Sequence, residues 1–272
     1  MTVRKVEFDN NDEPETSKKK GSSKMSDKYD VMKKGIYILP NLFTSASLFL
    51  GFYAIIIVMS EHPDKFMHAA WAIIGAAICD GLDGKVARLT GTASEFGIEY
   101  DSLADLVSFG VAPGVMIYTW ALEPYGKLGW LAAFLYVICG ALRLARFNVQ
   151  VNTVEKSHFK GLPTPGAAIM IATTILIHLE YRGDEMIKNI IMPIMTYGLA
   201  YLMVSNVKYK SFKDLELIKR KPFGTLVIVV ILLTVVVAKP ELMLFSLITL
   251  YVLSGPLTAL TGLFKRKDAK GA

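Results

Sequence analysis

Charged residues and cysteines are both scarce in this chain. Only 20% of its 272 residues are charged, whereas a soluble globular domain carries about 25%. No polar stretch is longer than about 35 residues, which excludes a separate soluble catalytic module such as a Rossmann domain. The two cysteines, Cys79 and Cys139, lie in apolar runs. A disulfide framework is therefore excluded, and both are expected to pack as small hydrophobic residues.

Apolar residues, in contrast, make up 53% of the chain and are gathered into long runs. A helix of roughly 20 residues crosses about 30 Å of hydrocarbon, and these runs are apolar on all sides rather than alternating as barrel strands do. We therefore predict an all-α fold, a polytopic integral membrane helix bundle with about eight transmembrane helices. The predicted spans are 38–59, 66–89, 99–119, 127–147, 164–180, 187–205, 223–238 and 241–262.

Lysine and arginine are distributed unequally among the loops. If the N-terminus is cytoplasmic, 25 of the 30 basic residues fall on the cytoplasmic side. Cytoplasmic loops are enriched in Lys and Arg, so we predict that both termini are cytoplasmic. Because topology accounts for the net charge of +6, no nucleic-acid partner is expected. His62, His68 and His178 fall on the outer side, and the pattern assigns them no role.

Four aspartates interrupt two neighbouring apolar runs. Asp80 and Asp83 lie in the second predicted span, and Asp101 and Asp105 lie in the third. Spacings of three and four residues place each pair on one side of its helix, and the short connection makes the helices antiparallel neighbours. The two pairs are therefore expected to face each other across one groove, toward the cytoplasmic ends of the spans.

Buried carboxylates without a partner cost about 2.5–3.5 kcal/mol each at the centre of a membrane helix. Protonation or a metal ion relieves this cost. Four oxygen donors without nearby Cys or His suit Mg²⁺ or Mn²⁺, and two such cations would balance the charge and clamp a diphosphate. The alternative interpretation is a set of helix-end aspartates that face water.

Small residues surround the aspartates. Gly81, Gly84 and Ala87 leave room for a nucleotide to approach the backbone, but close helix packing uses small residues for the same reason. The sequence leaves both interpretations open at these three positions. Gly110 and Gly114 form a GxxxG spacing in the third span, where helix packing is favoured.

The aspartates belong to a longer pattern, D-x2-D-G-x2-A-R-x8-G-x3-D-x3-D. It resembles the signature of the CDP-alcohol phosphatidyltransferases at every fixed position. The fixed positions are Asp80, Asp83, Gly84, Ala87, Arg88, Gly97, Asp101 and Asp105. Members of that family displace CMP from a CDP-linked lipid or alcohol with a hydroxyl nucleophile.

The resemblance implies roles for these residues. The four aspartates would hold two divalent cations, Mg²⁺ or Mn²⁺, and Asp105 would be the general base. The residues that it assigns to the cytidine diphosphate are Gly81, Gly84, Ala87, Arg88 and Gly97.

A second polar cluster follows at the next cytoplasmic turn, in the strings RLARFN and FKGLPTP. Both strings resemble the phosphatidylserine synthase branch of the family, which implies CDP-diacylglycerol and L-serine as substrates and CMP as a product. Arg143 and Arg146 would then hold the serine carboxylate or the lipid phosphate, with Asn148, Pro163 and Thr164 beside them. The alternative is that both arginines are topological anchors.

The resemblance also divides the chain. Residues 1–30 are predicted to be a disordered polar tail, 31–205 the six-helix core, 206–222 a basic cytoplasmic loop, and 223–272 two additional helices with a basic C-terminus. A homodimer in the cytoplasmic (inner) membrane, surrounded by membrane lipids and with its active site facing the cytoplasm, is implied.

Other functions remain open from the sequence. The acceptor could be glycerol 3-phosphate or an inositol phosphate, and the donor could be an ether lipid. An ion-coupled transporter is the alternative from another class, although transporters place their charges near the midplane and in repeated halves.

Overall fold

The structure is a computed structural model that describes residues 40–92, 94–151, 159–181, 185–209 and 239–268. In these residues the protein is a bundle of helices with one very short β contact, in which Phe159–Lys160 (β1) pairs antiparallel with Lys208–Tyr209 (β2). The helices are α1 (Pro40–Met59), α2 (Lys65–Thr90), α3 (Glu95–Tyr125), α4 (Lys127–Val151), α5 (Thr164–Glu180), α6 (Glu185–Val204) and α7 (Pro240–Asp268).

The predicted all-helical membrane architecture is confirmed. Helices α1 to α4 and α7 are long and apolar enough to cross a membrane, whereas α5 and the apolar part of α6 are shorter. Helices occur at seven of the eight predicted spans, and the remaining span, 223–238, lies outside the described residues together with the predicted tail, 1–30, and most of the loop 206–222. The count of eight membrane crossings stays a prediction.

Helix α3 is not uniformly α-helical. It contains two wider π-helical turns, Leu106–Val111 and Tyr118–Leu122. Pro113 has no N–H to bond the Phe109 carbonyl one turn earlier, and that carbonyl accepts a hydrogen bond from the Tyr136 hydroxyl of α4 instead, at 3.0 Å. Such turns are frequent at functional sites, and the first one begins directly after Asp105.

Small residues allow the helices to approach closely. A Cβ atom added at Gly114 would lie 2.8 Å from the Val137 side chain of α4, so the predicted packing role of the GxxxG spacing is confirmed. One added at Gly51 of α1 would lie 2.6 Å from the Ser108 backbone of α3. These contacts hold α1 and α4 against the two sides of α3.

Helix α7 packs along α5 and on the strand β2. The Tyr209 hydroxyl donates to the Val252 carbonyl at 3.2 Å, and a Cβ atom added at Gly255 would overlap the Tyr209 ring. Burial raises the pKa of Tyr209 to about 12, so this hydroxyl remains a donor. Tyr251 lies next to Tyr209, with ring centroids 5.4 Å apart, and reaches the N-terminal end of α5 at Gly166.

Candidate active site

A tight connection brings α2 and α3 together as antiparallel neighbours. Gly91 ends α2 with a φ of 65°, a left-handed conformation that glycine adopts without strain. Ser94 begins α3 as its N-cap, and its side-chain oxygen accepts a hydrogen bond from the Gly97 N–H at 3.0 Å. This connection places the C-terminal half of α2 beside the N-terminal half of α3.

The carboxylates of the two helices meet in the resulting groove. Asp80, Asp101 and Asp105 each offer an oxygen, and these atoms all lie within 4.8 Å of one another. The predicted convergence of the two aspartate pairs is therefore confirmed. Three carboxylates at this separation repel one another strongly, and a divalent cation between them would relieve the repulsion. Their oxygens are also the ligands that such a cation prefers.

Asp83 lies beside this cluster and has a different environment. Its side chain is 5% exposed, and it accepts a hydrogen bond from the Thr44 hydroxyl of α1 at 2.8 Å. It also contacts Asp101, so it connects the carboxylate cluster with α1. Thr44 was not identified from the sequence. The pattern that could have indicated it is a pair of polar residues one turn apart, Asn41 and Thr44, at the start of an apolar run.

A pocket with a cavity volume of about 130 Å³ opens next to Asp83, and it is open to the surface of the protein. Nothing lies within 4 Å of a Cβ atom added at Gly84, so close helix packing does not explain the glycine at this position. The residues lining the pocket are Pro40, Asn41, Thr44, Asp83, Gly84, Ala87, Thr92, Ser94, Gly97, Ile98 and Asp101.

Two residues predicted to bind the nucleotide do not line this pocket. Arg88 directly follows the pocket residue Ala87 on α2, and it is exposed. Gly81 is also exposed, with open space around the position of a Cβ atom. Among the residues that the structure describes no helix packs on Gly81, so close helix packing does not explain this glycine.

Arg143 of α4 lies near the carboxylate cluster and is 9% exposed. Its Nη1 donates to the Thr164 hydroxyl at 3.0 Å, and the guanidinium is close enough to Asp105 to interact with it electrostatically. Its Nε has no hydrogen-bond partner in the described residues. A buried donor without a partner is destabilising, and an anionic substrate group would satisfy it.

The turn before Thr164 is held by close backbone contacts. Gly161 has a φ of 85°, and a Cβ atom added there would overlap the Met203 carbonyl oxygen. The Gly161 N–H donates to the Val207 carbonyl at 2.8 Å. Pro163 follows as the N-cap residue of α5, so the hydroxyl that holds Arg143 is positioned by backbone contacts with α6 and the segment after it.

Arg146 and Asn148 are placed differently from Arg143. The Arg146 Nη1 donates to the Val204 carbonyl at the end of α6, at 3.3 Å. The Asn148 amide donates to the Ser102 hydroxyl at 3.0 Å and to the Glu99 carboxylate at 3.3 Å. Asn148 therefore connects α4 to α3 beside the carboxylate cluster.

Comparison with known proteins agrees with this arrangement. Residues 37–204 match the model of the CDP-alcohol phosphatidyltransferase family, and the chain belongs to this family. It is an integral membrane protein, with five helices long and apolar enough to cross a membrane.

Several relatives carry one more specific name, CDP-diacylglycerol–serine O-phosphatidyltransferase. The chain is 40% identical to that protein of Helicobacter pylori over 220 residues, 81% of this chain and 90% of the relative. It is 33% identical to that of Mycobacterium leprae over 222 residues, 79% of this chain and 72% of the relative. It is 35% identical to that of Bacillus subtilis over 176 residues, 64% of this chain and 91% of the relative.

Proposed function

We propose that this protein transfers the phosphatidyl group from CDP-diacylglycerol to L-serine, giving phosphatidylserine and CMP. The observation that carries the proposal is that the carboxylate cluster adjoins both an open pocket and a buried arginine. Asp101 of the cluster lines the pocket together with Asp83, and Asp105 of the cluster lies within electrostatic range of the Arg143 guanidinium. A nucleotide-linked donor and an anionic acceptor can therefore meet at the carboxylates.

The chain's own residues supply most of the chemistry. Asp80, Asp101 and Asp105, with Asp83 beside them, would hold two divalent cations, Mg²⁺ or Mn²⁺, which neutralise pyrophosphate charge when bound. In the reaction the serine hydroxyl oxygen bonds to the phosphorus on the lipid side. The bond from that phosphorus to the bridging oxygen breaks, and CMP leaves.

Asp105 is the residue that we assign to the proton of the serine hydroxyl. It lies in the carboxylate cluster, and it is also the carboxylate that Arg143 approaches. A serine held by Arg143 would therefore present its hydroxyl on the Asp105 side of the cluster. A positioned carboxylate can take that proton as the oxygen attacks.

Arg143 is the residue that we assign to the acceptor. Its fork of donors suits a carboxylate or phosphate bound through two parallel hydrogen bonds, and Thr164 holds it in place. Arg146 and Asn148 support this wall by their contacts with α6 and α3, and Pro163 sets the start of α5. On the nucleotide side, Gly84, Ala87 and Gly97 line the pocket, with Gly81 and Arg88 at its edge on α2.

Acceptors with a phosphate of their own, such as glycerol 3-phosphate, are less well matched. They carry more negative charge than serine and require more basic groups. Among the described residues near the carboxylates, Arg143 is the arginine that approaches Asp105, while Arg146 donates to a backbone carbonyl. This difference favours serine.

The acceptor is tested by a screen with the purified protein. CDP-diacylglycerol and Mg²⁺ or Mn²⁺ are supplied with serine, glycerol 3-phosphate or an inositol phosphate, and CMP release is measured. We expect release with serine only. Release with glycerol 3-phosphate and none with serine would refute the serine assignment while the family assignment stands.

We also infer a homodimer in the cytoplasmic membrane with the carboxylate groove facing the cytoplasm. The distribution of Lys and Arg supports the orientation, since Lys85 and Arg88 lie at the groove end of α2. Labelling of single cysteines introduced at Ser94 and Glu61 in intact cells tests it. Glu61, in the loop before α2, should react with an impermeant reagent, and Ser94 should not.

Replacement of Arg143 with lysine tests the acceptor site. Arg143→Lys keeps the charge, and therefore the topology signal, but loses the planar fork and the Thr164 contact. Hydrogen bonds to charged groups contribute about 1.5–3 kcal/mol, so we expect kcat/KM for serine to fall about tenfold or more. The measurement is CMP release as a function of serine concentration.

The matched control is Arg146→Lys, because a lysine can still donate to the Val204 carbonyl. We expect a smaller effect there. Wild-type kinetics for both variants would mean that the two arginines are topological anchors, as the alternative interpretation of the sequence states.

A second variant tests the link between α1 and Asp83. Thr44→Val keeps the side-chain volume but removes the hydroxyl that donates to the buried carboxylate. We expect binding of the CDP-lipid in the presence of metal to weaken about tenfold or more. Thr119→Val is the control, because the Thr119 hydroxyl donates to the Val115 carbonyl of its own helix at 3.0 Å. Equal binding by the two variants would remove Thr44 from the site.

A further inference from the structure

A separate group of metal-ligating side chains lies at the opposite end of α2 from the aspartates. His62, Asp64 and His68 each offer one ligand atom, and these atoms all lie within 4.8 Å of one another. All three residues are exposed. His68 and Asp80 are twelve residues apart on the same helix, which corresponds to about 18 Å along its axis, so this cluster is distinct from the carboxylate groove.

The backbone holds the three residues together. The Lys65 N–H donates to the His62 carbonyl at 3.2 Å, and the His68 N–H donates to the Asp64 carbonyl at 3.0 Å. Asp64 and His68 are therefore one helical turn apart on the same side of α2. The two imidazole rings lie edge to face with centroids 5.1 Å apart, so little chain movement is needed to bring their nitrogens to one ion.

The neighbouring lysines are engaged with other groups. A pocket between α2, α5 and α7 is lined by Asp64 and by two further acidic residues, Glu180 and Glu241, and Glu180 pairs with the Lys239 ammonium at 3.0 Å. The neighbouring ammonium of Lys65 donates to the Ser60 carbonyl at 3.2 Å and lies over the Phe66 ring. Among the described residues no ion pair involves Asp64, so its carboxylate remains available to a metal.

The ligand chemistry points to zinc. Two imidazoles and one carboxylate are a frequent zinc ligand set, with metal–ligand distances of about 2.0–2.2 Å, whereas Mg²⁺ and Ca²⁺ prefer oxygen ligands. In a tetrahedral site these distances place ligand atoms about 3.4 Å apart. Rotation of exposed side chains can close the difference from 4.8 Å. The competing contact is one long hydrogen bond, from the Asp64 N–H to the His62 Nδ1 at 3.2 Å.

We propose that His62, Asp64 and His68 form a zinc site that ties the loop after α1 to the first turn of α2. The Lys65 ammonium of α2 already donates to the Ser60 carbonyl of the loop, and an ion shared by His62 and His68 would fix the loop further. Zinc should therefore both bind and stabilise the folded protein, since a ligand that binds only the folded state shifts the unfolding equilibrium.

The test uses the full-length protein in detergent with saturating Mg²⁺, so that the aspartate cluster is occupied by its own class of ion. Zinc is titrated, and bound zinc per chain and the thermal unfolding temperature are measured. We expect one zinc ion per chain and a zinc-dependent rise in unfolding temperature. Removal of a residue that only hydrogen-bonds a metal ligand typically weakens metal binding by about 10–100-fold. His62→Gln and His68→Gln remove a ligand itself, so each should weaken zinc binding by at least that factor.

Two controls keep the result specific. His158→Gln also removes one imidazole from a chain with four, and it should leave zinc binding and the shift in unfolding temperature as in the wild type. Asp80→Asn alters the other cluster and should also retain the zinc. Equal zinc binding in His62→Gln, His68→Gln and the wild type would overturn the proposal, and so would loss of zinc in Asp80→Asn with retention in His68→Gln.

Discussion

Removal of divalent cations should abolish CMP release, and addition of Mg²⁺ or Mn²⁺ should restore it. The physical reason is the separation of the carboxylates: oxygens of Asp80, Asp101 and Asp105 lie within 4.8 Å of one another. Without cations the carboxylates repel one another and also repel the negatively charged pyrophosphate. CMP release is measured after chelation, dialysis and stepwise return of each metal.

Variants connect this requirement to particular residues. Asp80→Asn should raise the metal concentration needed for half-maximal activity. Asp83→Asn should weaken nucleotide binding as well, because Asp83 lines the pocket and is held by Thr44. The asparagine side chain is nearly isosteric, so both variants are expected to fold. Full activity in excess chelator would remove metal ions from the proposed function.

Asp105→Asn should lower kcat far more than it weakens binding of the CDP-lipid. Loss of a general base typically costs about 10²–10⁴-fold in rate, because an amide cannot take the proton of the serine hydroxyl. More serine or more metal should not restore the rate. The two measurements are CMP release at saturating substrates and metal-dependent binding of CDP-diacylglycerol.

Asp101→Asn is the matched control, since Asp101 lies one turn away on the same helix and in the same cluster. It contacts Asp83 on the nucleotide side, whereas Asp105 lies on the Arg143 side. We expect Asp101→Asn to raise the metal requirement and to retain more of the maximal rate. Equal losses of binding in both variants would make Asp105 chiefly a metal ligand, and the proton would have to leave by another route.

Much of this site could be predicted from the sequence because local spacing determines it. Aspartates three and four residues apart share a helix face, and the short Gly91–Ser94 connection forces the two helices to be neighbours. The small residues Gly110 and Gly114 likewise indicated close packing. The position of Arg143 near the carboxylates followed from its place on the next helix.

Contacts between distant segments could not be predicted in the same way. The hydrogen bond from Thr44 to Asp83 joins residues 39 positions apart, and no periodicity indicates which turn of α1 faces α2. For the same reason, the sequence could not show that Asp83 lies beside the cluster of Asp80, Asp101 and Asp105 rather than within it. A proline inside a helix always leaves one carbonyl without its usual partner, but the sequence does not show that the Tyr136 hydroxyl would donate to that carbonyl in α3.

The contact of α7 with the acceptor side of the site bears on how the protein is made. Tyr251 lies within electrostatic range of Arg143, and it belongs to a helix outside the residues that match the family, 37–204. The carboxylates and the nucleotide pocket are translated long before this helix. Because the four aspartates are synthesised well before α7, we expect the acceptor side of the site to be complete only after α7 has been inserted beside Arg143.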